Sequence, residues 1–308
     1  MKKAILFLSA IFSLVLYRQD LSAQSAKPAS PPAGFHHEYA KVNGIRIHYV
    51  TGGRGDPLLL IHGFGQNWFM WSRLMPALAK HFTVIAPDLP GVGESDKPET
   101  GYDKKSMAGD LHGLMEKLGY TKINLAGHDI GLMVAYAYAA RFGDEVKKVA
   151  LLDAVIPGVD PVWTNLYERN WWFGFFARPI AGDLVAGKAG EFLTDFWPVV
   201  GHKKDLFTPV EAGEFIRAYS VAGATTGSFH WFGAFPQDAE DNRRYMQTKL
   251  KMPLLAMAGE YSAASYLGDH CRLVANQVTD ITIKGAGHWI VQEGTDQVLK
   301  GLEAFFEH

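Results

Sequence analysis

Short apolar runs recur along the chain, and segments with a helical hydrophobic period lie between most of them. The runs are apolar at consecutive positions, which is typical of strands buried on both faces of a parallel sheet. Alternation of such strands with helices predicts an open α/β sheet with right-handed crossovers. The predicted strands are Leu58–Ile61, Phe82–Ala86, Ile123–Ala126, Val149–Leu152, Pro253–Ala258 and Ile281–Ile283. Active sites in such sheets lie beyond the carboxyl ends of the strands.

Before the first buried run, apolar and polar residues alternate from Glu38 to Val50. The alternation breaks at Asn43 and Gly44, a pair that tolerates positive φ at both central positions of a tight turn. A β-hairpin that supplies two edge strands is therefore predicted at the start of the folded body. The helical period predicts helices at Trp71–Lys80, Ser106–Leu118, Gly131–Phe142 and Thr295–Phe306.

The alternation of strands and helices stops between residues 157 and 244. An apolar helical insertion there predicts a lid over a pocket, placed after the sixth strand and dividing the α/β core into residues 35–156 and 245–308. The alternative for any one aromatic residue is ordinary packing within a helical subdomain. Five of the eight tryptophans lie in this insertion: Trp163, Trp171, Trp172, Trp197 and Trp231.

The first 25 residues have the layout of a signal peptide. Lys2 and Lys3 precede an uncharged apolar run from Ala4 to Leu16, and small residues follow. The run is shorter than the ~20 apolar residues that span a bilayer, so removal is favoured over a stable membrane anchor, with an uncleaved anchor as the alternative. Residues 26–34 are predicted to form an extended leader. The expected location is the bacterial periplasm or the cell exterior.

The charge balance narrows the range of partners. Among 308 residues, 30 Lys and Arg stand against 32 Asp and Glu, for a formal net charge of -2. No broad basic surface is expected, and nucleic acid is not an expected partner. The hydrophobic fraction of 48% is that of a globular protein with a sizeable core. The single cysteine, Cys271, is expected to be an inert buried residue.

The segment from Ile123 to Gly131, with the sequence INLAGHDIG, carries the strongest chemical motif. An apolar strand runs into a G-x-x-x-G turn and then into an Ala-rich helix. This is the pattern of a nucleophile elbow, with Asp129 at the central position in place of Ser. The glycines permit a sharp turn that leaves the central side chain exposed in front of the helix amides. Without other support, a solvated Asp in a Gly-bounded turn would be the simpler explanation.

An oxyanion hole is predicted beside the elbow. Phe64 lies in the loop after Leu58–Ile61, and Ile130 directly follows Asp129. The backbone amides of Phe64 and Ile130 can both point at one oxygen near Asp129.

An acid and a base follow two other predicted strands. Asp153 ends Val149–Leu152, and His288 lies on a Gly-rich loop at a late strand end. Nucleophile, acid and His thus occur in the order typical of hydrolases. Glu260, which follows the next strand, is the alternative orienting acid.

An aspartate nucleophile limits the kind of substrate. Unlike Ser, Asp is ionised at neutral pH without a base, so Asp129 can attack an electrophilic carbon and form an alkyl ester. His288, oriented by Asp153, would deprotonate the water that hydrolyses this ester. Epoxides and alkyl halides are the matching small apolar electrophiles, whereas attack on an ordinary carboxyl ester would give an anhydride. No cofactor and no metal ion are expected.

These residues resemble those of the Asp-nucleophile α/β-hydrolases, the group of epoxide hydrolases and of haloalkane and haloacetate dehalogenases. The likeness is greatest to secreted bacterial epoxide hydrolases, and it spans nearly the whole chain. It rests on the elbow, on Asp153, and on His62–Gln66, Leu74–Pro76 and Phe82–Gly91. The resemblance implies an α/β-hydrolase fold with a mostly parallel sheet, flanking helices, a helical lid and the Asp–Asp–His triad named above.

Epoxide hydrolases place two Tyr, or a His and a Tyr, in the lid, where these side chains donate hydrogen bonds to the epoxide oxygen. The resemblance aligns these positions with Trp172 and Phe232, neither of which is a useful acid. Other candidate pocket residues lie nearby in the sequence: Phe173, Trp231, His230 and Tyr219. Of these, His230 or Tyr219 could supply the missing acid.

Two other functions remain open at this point. A halide leaving group needs hydrogen-bond donors and no proton, so Trp172 favours a dehalogenase. Against this, Ile130 stands where haloalkane dehalogenases have Trp, and residues 130–134 lack the arginines with which haloacetate dehalogenases bind a carboxylate. The third function is non-catalytic binding of apolar ligands on the same fold, against which the complete triad argues. The sequence leaves open the oligomeric state.

Overall fold

The computed structural model describes residues 27–307. The predicted signal peptide, residues 1–25, lies outside the described residues, and the predicted export depends on it. None of the described helices is both long and apolar enough to cross a bilayer. Residues 27–34 lead to the first strand without regular secondary structure, and the Ala29 amide donates a 3.0 Å hydrogen bond to the Glu214 carboxylate.

One sheet of eight strands organises this part of the chain. The strands are β1 (Phe35–Val42), β2 (Ile45–Gly53), β3 (Asp56–Ile61), β4 (Phe82–Pro87), β5 (Ile123–His128), β6 (Val146–Leu152), β7 (Leu254–Gly259) and β8 (Val278–Ile283). Their order is β1-β2-β4-β3-β5-β6-β7-β8. Strand β2 is antiparallel to β1 and β4, and all other neighbours are parallel. The predicted α/β architecture with a mostly parallel sheet is confirmed.

The predicted hairpin joins β1 to β2. Val42 pairs with Ile45, and the two residues between them, Asn43 and Gly44, have φ values of 49° and 90°. Positive φ at both central positions matches the right-handed twist of the flanking strands. Of the two hairpin strands only β1 is an edge strand, however, because β2 also pairs with β4 along residues 49–53. The prediction of two edge strands was wrong in this respect.

Helices flank the sheet and fill the interval between β6 and β7. They are α1 (Met75–Leu78), α2 (Lys104–Lys117), α3 (Ile130–Arg141), α4 (Val162–Arg169), α5 (Trp171–Phe176), α6 (Pro179–Val185), α7 (Ala189–Val200), α8 (Pro209–Ser220), α9 (Ala224–Gly233), α10 (Phe235–Tyr245), α11 (Leu267–Val274), α12 (Ile290–Glu293) and α13 (Thr295–Glu307). Helices α4 to α10 form the insertion after the sixth strand, and we refer to them as the lid.

One predicted helix is broken. In place of a helix over Trp71–Lys80, the chain forms a 3₁₀ turn at Trp68–Trp71 and then the single turn of α1. The Asn67 side chain accepts a hydrogen bond from the Phe69 amide and so starts the 3₁₀ turn early. Pro76 lies in the first turn of α1, where a missing N–H is tolerated, and this fixes a separate helix start.

The central parallel strands position the candidate site. Leu58 to Ile61 in β3 have no exposed surface, and the apolar helix α3 is buried against β5 and β6. Because parallel strands end at the same edge of the sheet, the residues after β3, β5, β6 and β8 come close together.

Candidate active site

Asp129 occupies a sharp turn between β5 and α3. Its backbone has φ 54° and ψ -119°, a conformation that L-residues rarely adopt and that surrounding structure must hold in place. Two glycines make this turn possible. A Cβ atom on Gly127 would lie 2.1 Å from the Gly131 carbonyl oxygen, and one on Gly131 would lie 2.2 Å from the Ile61 carbonyl oxygen. The turn therefore presents the Asp129 side chain at the carboxyl edge of the sheet, as a nucleophile elbow requires.

One oxygen of Asp129 accepts a hydrogen bond from an amide of the predicted oxyanion hole. The Phe64 amide donates a 2.7 Å hydrogen bond to Oδ1 of Asp129. Ile130 is the first residue of α3, so its amide is among those that lack a partner within the helix. An oxygen at the Oδ1 position therefore lies at a helix N-terminus, where partial positive charge stabilises an anion.

His62 fixes the loop that carries Phe64. The buried ring of His62 donates from Nδ1 to the Gly63 carbonyl oxygen at 2.8 Å and accepts from the Leu89 amide at Nε2, at 2.9 Å. Burial lowers the pKa of His62, in agreement with a neutral ring that both donates and accepts. His62 therefore supports the loop and does not face the reacting groups.

Asp153 and His288 come together with Asp129. Nδ1 of His288 lies 2.8 Å from Oδ2 of Asp153, and Nε2 of His288 lies 3.6 Å from Oδ2 of Asp129. Asp153 is itself held by the Gly259 amide at 2.8 Å on Oδ1 and by the Ser262 hydroxyl at 2.7 Å on Oδ2. The hydrogen bond between Asp153 and Nδ1 thus orients the ring of His288, and Nε2 faces Asp129.

Glu260, the alternative acid, faces another direction. Its carboxylate accepts from the Gly285 amide at 2.9 Å and from Lys284 Nζ at 3.2 Å. These contacts lower the pKa of Glu260, the Gly285 amide contributing most. No hydrogen bond joins Glu260 to His288 within residues 27–307, so the geometry favours Asp153 as the orienting acid.

The electrostatic environment of His288 suits a base that forms a cation. Burial lowers the pKa of His288, but the hydrogen bond and charge of Asp153 and the charge of Asp129 raise it more, so the pKa lies above 6.5. The neighbouring His128 ring donates from Nε2 to the His288 carbonyl oxygen at 2.8 Å. Burial and the charge of His288 lower the pKa of His128 to about 4, so His128 is neutral at pH 7.

The sequence model for the family described as alpha/beta hydrolase fold matches residues 56–295. The chain belongs to this family. The predicted family and the prediction of a hydrolase are therefore confirmed.

Three known proteins illustrate the relationships of this α/β-hydrolase. A soluble epoxide hydrolase of Corynebacterium sp. (strain C12) is 33% identical over 281 residues, which cover 88% of this chain and 96% of that protein. A fluoroacetate dehalogenase of Burkholderia sp. is 28% identical over 296 residues, covering 88% and 94%. The crystal structure of the Cif epoxide hydrolase from Acinetobacter nosocomialis superposes with a TM-score of 0.84, at 28% identity and 96% coverage of both chains.

A cavity of about 120 Å³ opens in front of Asp129 in this α/β-hydrolase, between the sheet edge and the lid. Its wall is mainly apolar and aromatic: Phe64, Met133, Ala154, Val155, Leu166, Trp172, Phe173, Phe196, Val200, Phe232 and Trp289. Polar groups are few: Asp129, Asp153, His288, Asn170, Ser262 and Tyr266. Trp172, Phe173 and Phe232 are thus at the cavity wall, where the sequence predicted pocket residues.

Three other predicted pocket residues do not line this cavity. The Tyr219 hydroxyl accepts a 2.6 Å hydrogen bond from the Gly65 amide, behind the ring of Phe64. His230 lies beside Tyr102 in a separate surface groove.

Trp231 is fully buried and donates from Nε1 to the Pro90 carbonyl oxygen at 3.0 Å. Consecutive residues on a helix point about 100° apart, so His230 and Trp231 of α9 cannot share the direction of Phe232. Neither His230 nor Tyr219 therefore stands in the cavity wall to supply the missing acid.

Two polar residues of the cavity were missed by sequence analysis. Tyr266 lies between β7 and α11, and Asn170 lies between α4 and α5. Among residues 27–307 neither side chain has a hydrogen-bond partner, so both can serve a ligand. Tyr266 could have been suspected because it follows the carboxyl end of a predicted strand. Asn170 belongs to no motif.

The described residues contain no group of three or more His, Cys, Asp and Glu side chains that could hold a metal ion. Cys271 is buried, and burial raises its pKa to about 12. Its thiol therefore stays protonated at neutral pH.

Proposed function

We propose that this α/β-hydrolase opens small, neutral, apolar epoxides through an alkyl ester on Asp129. The observation that carries the proposal is that the two Asp129 oxygens have different contacts. Oδ1 accepts the Phe64 amide, whereas Oδ2 faces the cavity edge 3.6 Å from Nε2 of His288. Oδ2 is the freer nucleophile, and Oδ1 occupies the position in which an oxyanion would be stabilised.

In the first step, Oδ2 of Asp129 forms a bond to an epoxide carbon as the carbon–oxygen bond of the ring breaks. The ring oxygen gains the electron pair and needs a proton. We assign this proton to the Tyr266 hydroxyl, because Trp172 and Phe232 cannot supply one. Burial, and then the charge of Asp153, raise the pKa of Tyr266, so the hydroxyl keeps its proton until an alkoxide develops.

In the second step, His288 removes a proton from water, and the water oxygen attacks the carboxyl carbon of Asp129. The Phe64 and Ile130 amides hold the oxyanion. As the bond from the carboxyl carbon to the alkyl-bearing oxygen breaks, the leaving oxygen takes the proton from His288, and the proton of the new Asp129 carboxylic acid returns to the Tyr266 phenolate. The diol leaves with the original Asp129 oxygen, and Asp129 gains the water oxygen. The hydrogen bond and charge of Asp153, which persist in the ester, raise the pKa of His288, so the neutral base is lost as pH falls.

The cavity wall supports a neutral substrate. Among the described lining residues there is no Lys or Arg, so a substrate carboxylate would meet Asp129 and Asp153 without a guanidinium or ammonium partner. Haloacetates are therefore poor candidates, although a fluoroacetate dehalogenase is among the relatives. Aromatic and aliphatic side chains favour an alkyl or aryl substituent.

A dehalogenase of neutral alkyl halides is the second candidate. It is favoured by Trp172, which lines the cavity and whose indole N–H could donate to a departing halide without losing its proton. A non-catalytic ligand-binding function is the weaker alternative, because it does not explain why His288 contacts Asp153 at Nδ1 and faces Asp129 at Nε2. If residues 1–25 direct export as the sequence predicts, either reaction takes place outside the cytoplasm.

The mechanism is tested by one turnover of styrene oxide in heavy-oxygen water with enzyme in excess. The first diol should contain no heavy oxygen, and the label should be found in the peptide that contains Asp129. Mass spectrometry of the diol and of that peptide measures both. With substrate in excess, the label should enter the diol in later turnovers. Label in the diol of the first turnover would mean that water attacks the epoxide directly and would overturn the proposed ester.

Tyr266→Phe should separate epoxide opening from dehalogenation. Loss of the hydroxyl removes the proton for the alkoxide, and deletion of one donor to a developing oxyanion lowers rates by about 10²–10³-fold. Alkylation by styrene oxide should fall by that amount, whereas alkylation by butyl bromide should change less than about threefold. Rapid-quench mass spectrometry measures both rates. Tyr261→Phe, at an exposed tyrosine outside the cavity, is the control. An equal loss with both substrates would contradict the assignment.

A further inference from the structure

Glu293 is a buried carboxylate at the end of α12. It takes no part in the mechanism proposed above. Its oxygens accept backbone amides on both sides of His288. Oε1 accepts from the Trp289 amide at 3.1 Å, and Oε2 accepts from the Gly287 amide at 3.0 Å. The carboxylate therefore fixes the backbone immediately before and after His288.

The same side chain binds the lid. Oε2 of Glu293 also accepts from the amides of His202, at 3.0 Å, and Lys203, at 2.9 Å, in the loop after α7. The His288 amide in turn donates to the Val200 carbonyl oxygen at 3.0 Å. Glu293 thus joins the His288 loop to the lid loop at residues 202–203.

A carboxylate satisfies all four donors of this arrangement. Four amide donors converge on two oxygens, and hydrogen bonds to a charged acceptor are stronger than those between neutral groups. A Gln side chain has one oxygen, so its amide group would turn N–H toward at least one N–H of the backbone. That backbone amide would lose its partner in a buried place.

We propose that Glu293 is a positioning residue for the hydrolysis of the alkyl-enzyme ester, a role that rests on the function proposed above. Alkylation needs Asp129 and the leaving-group donor, and it does not need His288. Hydrolysis needs Nε2 of His288 within reach of a water that faces the Asp129 carboxyl carbon. Displacement of the His288 loop should therefore slow the second step and spare the first.

The test compares E293Q with wild-type enzyme during turnover of styrene oxide. Misplacement of a reacting group by ~1 Å lowers rates by about 10²-fold, so ester hydrolysis should slow by about that factor and the alkyl-enzyme should accumulate. The alkylation rate should stay within about threefold. Rapid-quench intact mass measures both steps. Loss of the Glu293 charge should also move the acid limb of ester hydrolysis to lower pH, because a nearby negative charge stabilises protonated His288.

E211Q is the matched control. Glu211 is another buried lid carboxylate, but it accepts from the Thr208 amide in the cap of α8, pairs with Arg73, and has no hydrogen bond to the His288 loop. Gln is also accepted at this position of a capping box, so both rates should stay within about twofold of wild type. If E293Q does not fold, E293D takes its place in the experiment. It keeps the charge but is too short to reach all four amides, so hydrolysis should slow while the acid limb stays in place.

The outcomes separate this inference from the proposed function. If wild-type enzyme forms no alkyl-enzyme at all, both are overturned. If wild-type enzyme forms it and E293Q, or E293D in its place, hydrolyses it at the wild-type rate, only the inference about Glu293 is overturned. An equal slowing of both steps would mean a general structural role and would overturn it as well.

Discussion

Replacing His288 with Gln should stop turnover after the first chemical step and leave an alkyl ester on Asp129. Gln cannot take a proton from water, and loss of a general base lowers a rate by up to about 10⁴-fold. Alkylation should continue, because Oδ2 of Asp129 needs no base to attack carbon. Incubation with styrene oxide should therefore add the mass of one epoxide to nearly every molecule. Intact mass spectrometry, followed by peptide mapping, locates the addition.

Two variants make this experiment decisive. His112→Gln removes a histidine that stacks on Phe142, away from the cavity, and should turn over normally without accumulating an adduct. The double variant with Asp129→Ser and His288→Gln should not be alkylated. An adduct on any residue other than Asp129, or full turnover by His288→Gln, would contradict the assigned nucleophile and base.

The strands and the elbow could be predicted because their determinants are local. A strand buried on both faces is apolar at consecutive positions, and a sharp turn between closely packed backbones requires Gly127 and Gly131. Asp153 and His288 could be predicted in the same way, since Asp153 comes directly after an apolar run and His288 lies in the Gly-rich loop that follows another. The rule that parallel strands end together then brings distant positions to one edge of the sheet.

The lid was less predictable because its side chains depend on helix phase and on docking. Phe232 faces the cavity, whereas its neighbour Trp231 faces Pro90. A one-residue shift in register moves a side chain by about 100° around a helix, and the sequence does not fix that register. Tyr219 shows the same limit, since its hydroxyl binds the Gly65 amide instead of a substrate.

Tyr266 and Glu293 escaped prediction for a different reason. Their surroundings are assembled from segments far apart in the chain: Tyr266 meets lid residues such as Trp172 only across the cavity. Glu293 is close to His288 in sequence, but its other partners, the amides of residues 202 and 203, come from the lid. Backbone amides have no side-chain identity, so no sequence pattern marks them as partners.

Asp153→Asn should lower ester hydrolysis by about 10⁴-fold, the loss that follows when a triad His is held in the wrong tautomer. The Gly259 amide donates to Oδ1 of Asp153, so the Asn oxygen should occupy that place and its NH₂ should replace Oδ2. That NH₂ would face Nδ1 of His288, which could then only accept. The proton would move to Nε2, and His288 could no longer take a proton from water.

Glu260→Gln provides the comparison, since it changes the other carboxylate at a strand end. Its contacts are with Gly285 and Lys284, so ester hydrolysis should stay within about twofold of wild type. Asp153→Asn should in addition accumulate the alkyl-enzyme, because alkylation by Asp129 does not depend on the His288 tautomer. The two hydrolysis rates, measured by rapid-quench mass spectrometry, compare the acids directly. If Glu260→Gln accumulated the ester and Asp153→Asn did not, the orienting acid would be Glu260, against the geometry of the His288 ring.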